Sequence, residues 1–282
     1  MRLIAAVAGL CAFVAVAAAA PTEVTLRLRH EVGQTLRYRA QVSGTGTITM
    51  LGDEHRVAVR GRFTRVERTR SRAGPEAWEV EVATEDPSLT FRAGGERQTV
   101  TMQVPTLTQV VDDRGKVTAV RGWEAAAALL STPGMGDAVR PLFGLVQVEG
   151  LPEHAVKPGD KWTAKAKLMQ PDGSDLEVEQ QFEFVGWEDD GGVPCAKIRT
   201  TTAIPVKRPL PAEVVGMQVT MEGLQRIETT SLLAYEQGVL LRQKTDIKLD
   251  LKTSTALGPE APEATVPGAV SLRVTVALAL QR

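Results

Sequence analysis

The chain has 282 residues, with 33 Lys and Arg against 34 Asp and Glu and a formal net charge of −1. That balance excludes the basic footprint of a nucleic-acid binder. Three histidines and two cysteines exclude a His-built metal site or a dense disulfide framework, and 43% hydrophobic residues suffice for a large core without staples.

Met1 to Ala20 reads as a secretory signal peptide. Arg2 supplies the positive start, Leu3 to Val16 is apolar, and Ala17 to Ala20 offers small residues for cleavage. The rival readings are a retained anchor and a lipidated Cys11. Cleavage puts the rest of the chain outside the cytoplasm, in the periplasm or beyond, and leaves Cys195 as its only cysteine. No His lies near Cys195 in the sequence, so it reads as a small buried hydrophobe and not a nucleophile. No later apolar run is long enough for a transmembrane span.

Residues 21–121 form an N-terminal β half. Val24, Leu26 and Leu28 alternate with polar residues and predict a first strand. Leu36 to Val42 predict a second. The Gly-rich run Ser43-Gly44-Thr45-Gly46-Thr47 lies in a strand region and reads as hairpin geometry, and Leu51-Gly52-Asp53-Glu54 makes a further turn. Val57, Val59 and Phe63 share one face of the next strand, and Val66 breaks their parity, which predicts a bulge. Further strands are marked by Trp78–Val82 and Val100–Val104. Leu107–Val111 and Lys116–Val120 predict a hairpin around Asp112–Gly115.

The pattern changes over residues 122–150. Trp123 to Leu130 has high helix propensity. Val139, Leu142, Phe143 and Val146 fall at i, i+3, i+4 and i+7, an apolar helical stripe. A short helical segment is therefore expected near 123–147. It is either a crossover covering one sheet face or a lid over a cavity, with Trp123, Leu129, Leu142 and Phe143 pointing inward.

Residues 151–282 form a C-terminal β half, packed with the first as one unit. Lys157-Pro158-Gly159-Asp160 is turn chemistry. Trp162, Ala164, Ala166 and Leu168 then alternate with polar residues, so Trp162 is an inward anchor or a ligand-stacking ring. Leu176–Phe184 and Ala196–Ile198 continue the strand series. Pro205, Pro209 and Pro211 mark a loop or an edge. Leu224–Leu233 and Val239–Leu251 flank a tip at Glu236–Gly238, and Val270 to Leu280 alternates to the C-terminus.

Two segments share a template. Val57, Val59, Phe63 and Val66 recur at the same spacing as Leu176, Val178, Phe182 and Val185. Each follows a strand opened by glycine, Gly33 to Tyr38 and Gly159 to Ala164. Either this is an internal echo that divides the chain into two halves, or amphipathic strands coincide. The fold class is mainly β: an antiparallel, curved sheet or half-barrel of long strands.

Charge is uneven. Between Val24 and Arg72 eleven arginines face four acids, whereas residues 172–190 carry eight acids and no base. Arg56, Arg60, Arg62, Arg68 and Arg70 share one parity and form a candidate basic face. It either binds an anionic partner or is a solvated face, with the acidic strands compensated by their neighbours.

No catalytic or metal constellation and no cofactor motif stands out. Glu153-His154 and Glu188-Asp189-Asp190 read as turn chemistry. The run Leu151-Pro152, then Val156-Lys157-Pro158-Gly159-Asp160-Lys161-Trp162, resembles a family of uncharacterised bacterial exported β-rich proteins. Long antiparallel strands with helices set apart are similar, at the level of fold only, to the LolA/LppX-like lipoprotein-carrier superfamily, whose half-barrels hold lipid. The resemblance implies a non-enzymatic envelope protein that binds a lipid, a lipoprotein or another apolar or amphipathic ligand in a sheet concavity. The alternative is an assembly module working through strand edges or the arginine face.

Overall fold

The computed structural model describes residues 21–50, 52–101, 103–122, 150–169, 175–210, 219–256 and 265–282. They hold twelve strands: β1 (Thr35–Met50), β2 (Asp53–Gly74), β3 (Ala77–Ala93), β4 (Glu96–Thr101), β5 (Leu107–Asp112), β6 (Val117–Arg121), β7 (Lys161–Met169), β8 (Asp175–Asp189), β9 (Pro194–Leu210), β10 (Val219–Ala234), β11 (Val239–Ala256) and β12 (Thr265–Leu280). No helix occurs among the described residues, and the segment expected to be helical near 123–147 lies outside them.

All strands join one antiparallel sheet in the order β6-β5-β3-β2-β1-β12-β11-β10-β9-β8-β7, with β4 on β3. No ladder joins β6 to β7, so the sheet is open. The order is two meanders laid in the same direction and sealed where β1 meets β12, from Tyr38↔Leu280 to Thr49↔Ala269. The echo has a structural counterpart at the entry to each meander. Gly33 and Gly159 have φ of 89° and 93°. Gly33 donates to the Thr69 carbonyl and Thr69 donates back to Gln34; Gly159 and Phe184 do the same with Asp160. The turn bonds Gln34 N–H to Glu31 and Asp160 N–H to Lys157 match as well.

The sheet is curved. Strands β5 and β7 lie near its opposite edges, which a flat sheet at about 4.8 Å per strand would hold tens of ångströms apart. Yet the Arg114 carbonyl, in the β5–β6 turn, accepts from Gly150 and Leu151. The Gly150 carbonyl in turn accepts from Trp162 Nε1 on β7 at 2.8 Å. Open twisted sheets of more than about ten strands bend for this reason: each strand pair adds twist.

Register puts the apolar side chains on one face. The row Phe184–Ile198–Ser231–Gln243–Leu278–Ala40–Phe63 crosses seven strands, and the row Gln180–Thr202–Ile227–Ile247–Val274–Gly44–Val59–Phe91 crosses eight. Phe184, Ile198, Leu233 and Val276 are fully buried there. Gly44, Gly46 and Gly61 occupy this face in mid-strand, so the Gly44–Gly46 run is not the expected hairpin. Its turn lies further on, at Gly52. Neighbouring side chains fold over the bare glycine backbones. A Cβ at Gly61 would collide with Leu89, and one at Gly44 would stand 2.9 Å from Val59 Cγ1. Gly61→Ala is therefore expected to cost about 1–3 kcal/mol by overpacking. At Gly74 a Cβ meets only Ala77 Cβ at 3.8 Å, so Gly74→Ala is expected to be near neutral. Urea midpoints of the two variants check this contrast.

The expected bulge in β2 is absent: β2 keeps continuous register with β1 from Ala40↔Phe63 to Arg37↔Val66, Val66 is buried on the face opposite Phe63, and the register shift between Arg62 and Thr64 puts the extra residues, Asp86 and Pro87, in β3. The strand expected at Val24–Leu28 is absent. Val24 and Val156 make one isolated antiparallel bridge, and the next amides bond elsewhere: Leu28 to Asp113 and Arg29 to Gly238. The alternation is real, but its hydrogen-bond partners belong to three separate segments and form no ladder. Pro205 and Pro209 lie in β9 beyond its pairing with β8, where one side of the strand is an edge.

Candidate functional site: the apolar face and the strap across its end

Residues 24–30 run as a strap over one end of the apolar face. Leu26 is fully buried within the main core, beside Leu151 and Val156. Arg27 clamps the strap. Its guanidinium donates to the carbonyls of Pro152 at 2.7 Å and Glu153 at 2.9 Å, and pairs with Asp113 at 2.8 Å. Gly238 has to be glycine for the strap to seat. Its φ is +67°, and a Cβ there would stand 2.7 Å from the Arg29 nitrogen and 2.8 Å from its Cβ.

Beneath the strap the apolar face carries a charged pair. Arg65 Nε donates to Glu67 Oε1 at 2.8 Å, the side chains being 4% and 15% exposed. Arg65 Nη2 is buried without a hydrogen-bond partner. Tyr38 stands opposite Arg65 in register. Burial pushes its phenol well above the ordinary range; the Glu67 carboxylate adds to this and Arg65 opposes it. His30 packs its ring against Trp78 with centroids 5.3 Å apart, and its Nε2 is buried without a partner. A cavity of about 40 Å³ lies among His30, Leu36, Tyr38, Glu67 and Leu240. That is room for about one or two waters.

Burial holds the His30 imidazole below its ordinary pKa, and the Glu67 carboxylate partly offsets this. A pKa depressed in the folded state means that the unfolded chain binds the proton first. Stability from this group is then complete above the unfolded value of about 6.5 and is lost as pH falls toward the folded value. Urea midpoints of the wild type are expected to drop between about pH 7 and 5, with a shallower slope in His30→Phe. Equal slopes would assign the pH dependence to other groups.

Of the sequence-predicted lining residues, Trp123, Leu129, Leu142 and Phe143 lie outside the described residues. Trp162 is on the apolar face, stacked on Phe182 at 5.4 Å and 7°. With its Nε1 bound to Gly150 it pins the covering segment to β7, which is the anchoring role. Arg65, Glu67 and His30 were not singled out from the sequence. The signal was present, because Arg65 and Glu67 share the odd parity of Val57, Val59 and Phe63.

The opposite face is polar. Arg68 and Arg70 both pair with Glu81, at 2.9 and 2.7 Å, so two of the five candidate basic-face residues are neutralised locally. These two bonds, that from Arg70 first, hold the Glu81 carboxyl below its ordinary range. Arg56, Arg60 and Arg62 are exposed and make no ion pair among the described residues. The acidic β8 is compensated by its neighbours: Glu177 by Lys165 at 2.7 Å, Glu183 by Arg199 at 3.3 Å and Glu188 by Lys197 at 2.8 Å. A groove of about 850 Å³ crosses β8 to β12 on this face, lined by Arg226, Lys248 and Arg273 with Glu179, Glu228 and Asp246.

Chemistry at the remaining candidates is ordinary. Glu153 is bound by Arg114, and Asp190 by Arg242 and Arg282. Cys195 is buried, which raises its thiol pKa. Among the described residues no group of three or more His, Cys, Asp or Glu is placed to hold a metal ion, and no helix is long and apolar enough to cross a membrane.

No protein-family model and no curated protein matches the chain. The resemblance carried by Lys157–Trp162 thus has no matching family behind it; in the structure this run is the turn into β7. Among solved structures the chain is similar to one of lipid–protein interactions in lipovitellin, with a TM-score of 0.50 at 9% identity. The match covers 90% of this chain and 26% of the lipovitellin chain, so this protein spans about a quarter of that length. A second match is the translocator domain of the autotransporter NalP from Neisseria meningitidis, at 11% identity over 89% and 90% of the two chains. Its TM-score of 0.21 carries no argument. The lipovitellin likeness is one of fold: a wide antiparallel sheet.

Proposed function

We propose that this is an exported, non-enzymatic protein of the bacterial cell envelope that holds a lipid or other amphipathic ligand against the apolar face of its sheet. One observation carries the reading. A single sheet of twelve strands gathers its apolar side chains on one wide face, which stays buried from Phe184 and Ile198 near the strap to Ile247, Leu251 and Met221 toward the other end. Most β proteins bury such a face under a second sheet or helices. A curved sheet with one greasy side and a charged reverse can instead seat acyl chains. The lipovitellin likeness supports this, since that structure concerns lipid–protein interactions. The signal-like N-terminus supports export.

Thr200, Thr229 and Thr245 lie side by side on the apolar face, with Thr229 and Thr245 hydroxyls 3.1 Å apart. A hydroxyl row inside a greasy surface suits the polar part of an amphipathic molecule better than a pure hydrocarbon.

Native mass spectrometry of protein purified without detergent tests the reading. The expected result is a species heavier by one or more lipid masses, lost after organic extraction and regained on incubation with envelope lipids. A protein that stays empty in all three conditions overturns it. Assembly through strand edges has less support, because the β7 edge carries exposed Lys161 and Lys165, and charge on an edge blocks strand addition.

A further inference from the structure

The polar face divides into two electrostatic halves. From β7 to β11 cations and acids alternate between neighbouring strands and pair. Across β4, β3, β2, β1 and β12 the pattern is different. Register lays out Arg97 and Thr99 on β4, Thr90 and Arg92 on β3, and Arg56, Arg60 and Arg62 on β2. Gln41, Ser43, Thr45 and Thr47 follow on β1, with Ser271, Arg273 and Thr275 on β12. This area holds six arginines and no acid. All six arginines are exposed, and none makes an ion pair or side-chain hydrogen bond among the described residues. The acids at its borders are Glu54, Glu85, Asp86, Asp246 and Asp250. Glu85 is engaged by Arg37 and Arg68, Asp246 by Lys244 and Thr275, and Asp250 by Lys248 and Ser271. Two remain: Glu54, a single row beyond Arg56, and Asp86, exposed in the β3 bulge beside Ser88.

Six uncompensated like charges on one rigid sheet repel one another and raise the energy of the free protein. An anionic surface relieves that repulsion. The choice of cation narrows the partner. The compensated half mixes Lys165, Lys197, Lys244 and Lys248 with Arg199, Arg226 and Arg242; in this area every cation is arginine. The guanidinium fork grips phosphate oxygens through two parallel bonds, whereas lysine acts as a point charge. Between the arginines stand only Ser, Thr, Gln and Ala, short side chains that leave each fork reachable, and Ser43, Thr45 and Thr47 add hydroxyl donors. Neighbouring strands about 4.8 Å apart fix this array before any partner arrives.

We propose that this arginine face docks the protein onto an anionic phospholipid bilayer, with lipid phosphates held by Arg56, Arg60, Arg62, Arg92, Arg97 and Arg273. The proposal is independent of the lipid seat on the opposite face, which native mass spectrometry reads without any bilayer.

Co-sedimentation with vesicles tests it. The full chain is expected to bind phosphatidylglycerol-containing vesicles at low ionic strength, to leave pure phosphatidylcholine vesicles unbound, and to come off in molar salt, where the Debye length is about 3 Å. Each cation at an anionic surface strengthens partition on the order of fivefold. The variant R56S/R60S/R62S is therefore expected to bind at least about tenfold more weakly. K165S/K197S/K244S removes the same charge from the compensated half and is expected to bind as the wild type does. Far-ultraviolet circular dichroism and urea midpoints confirm that both variants fold. Equal loss in the two variants would reduce the effect to net charge and overturn the site. So would equal binding to both vesicle types, or no binding to either. Binding to polyglutamate without binding to anionic vesicles would also overturn the proposal, in favour of an acidic protein partner.

Discussion

Glu67→Ala is expected to be among the most destabilising single changes in this chain, lowering the unfolding free energy by roughly 3–5 kcal/mol. The Glu67 side chain accepts from Arg65, whose own side chain is 4% exposed and whose Nη2 already lacks a partner. Removing Glu67 leaves a guanidinium uncompensated in the apolar face, close to Tyr38 and under the strap. The cost of a lone buried charge far exceeds that of the methylenes removed. The double variant Arg65→Met/Glu67→Leu removes the charge together with its partner. It is expected to return to within about 1 kcal/mol of the wild type, or to exceed it, because well-packed apolar residues replace a buried pair without loss. Urea denaturation of the two single variants and the double closes a thermodynamic cycle. A Glu67→Ala variant as stable as the wild type would mean that bulk solvent reaches Arg65, and the account of a shielded pair beneath the strap would fail.

The alternation of Val270 to Leu280 is enough to read β12, because one local rule, period two, governs both burial and strand geometry. That β12 lies beside β1 is not in the sequence. The ladder from Tyr38↔Leu280 to Thr49↔Ala269 joins the two ends of the described chain, and no local signal encodes a partner so distant. Gly44 and Gly46 misled for a related reason. A glycine marks either a turn or a close approach, and only the folded neighbours, Val59 and Leu272, show which. Val24 to Leu28 alternates as a strand does, yet its amides bond to Val156, Asp113 and Gly238, three places that meet only after the sheet has bent.

The candidate site divides in the same way. The parity of Arg56, Arg60 and Arg62 places them on the polar face, and Val66, of the same parity, is buried there instead. Composition alone does not say that Glu81 neutralises Arg68 and Arg70 while Arg60 faces only Ser43 and Thr90. That follows from register. Arg65 was readable by its odd parity with Val59 and Phe63, and an arginine-rich strand hid it. The echo of Gly33 in Gly159 was also visible in sequence. Its meaning, two meanders entered by the same turn and laid the same way, needed the hydrogen bonds.

Leu26→Ala is expected to release the strap before the sheet melts. Leu26 is fully buried against the core, and truncating a buried leucine costs about 2–5 kcal/mol. A central strand would pass that loss to the whole domain. Strap residues bond instead to Val156, Asp113 and Gly238 and join no ladder, so the loss is confined to a local opening. Hydrogen exchange separates the two outcomes. In Leu26→Ala the amides of Val24, Leu28 and Arg29 are expected to lose protection by a factor of about thirty or more, the equivalent of 2 kcal/mol. Amides of Ala40 and Val42 in β1 are expected to change little. Arg27→Ala, which deletes the clamp on Pro152, Glu153 and Asp113, is expected to act on the same amides. Were β1 protection to fall in step with that of the strap in both variants, the strap and sheet would unfold as one unit. The end of the apolar face would then be a fixed wall and not a part that opens on its own.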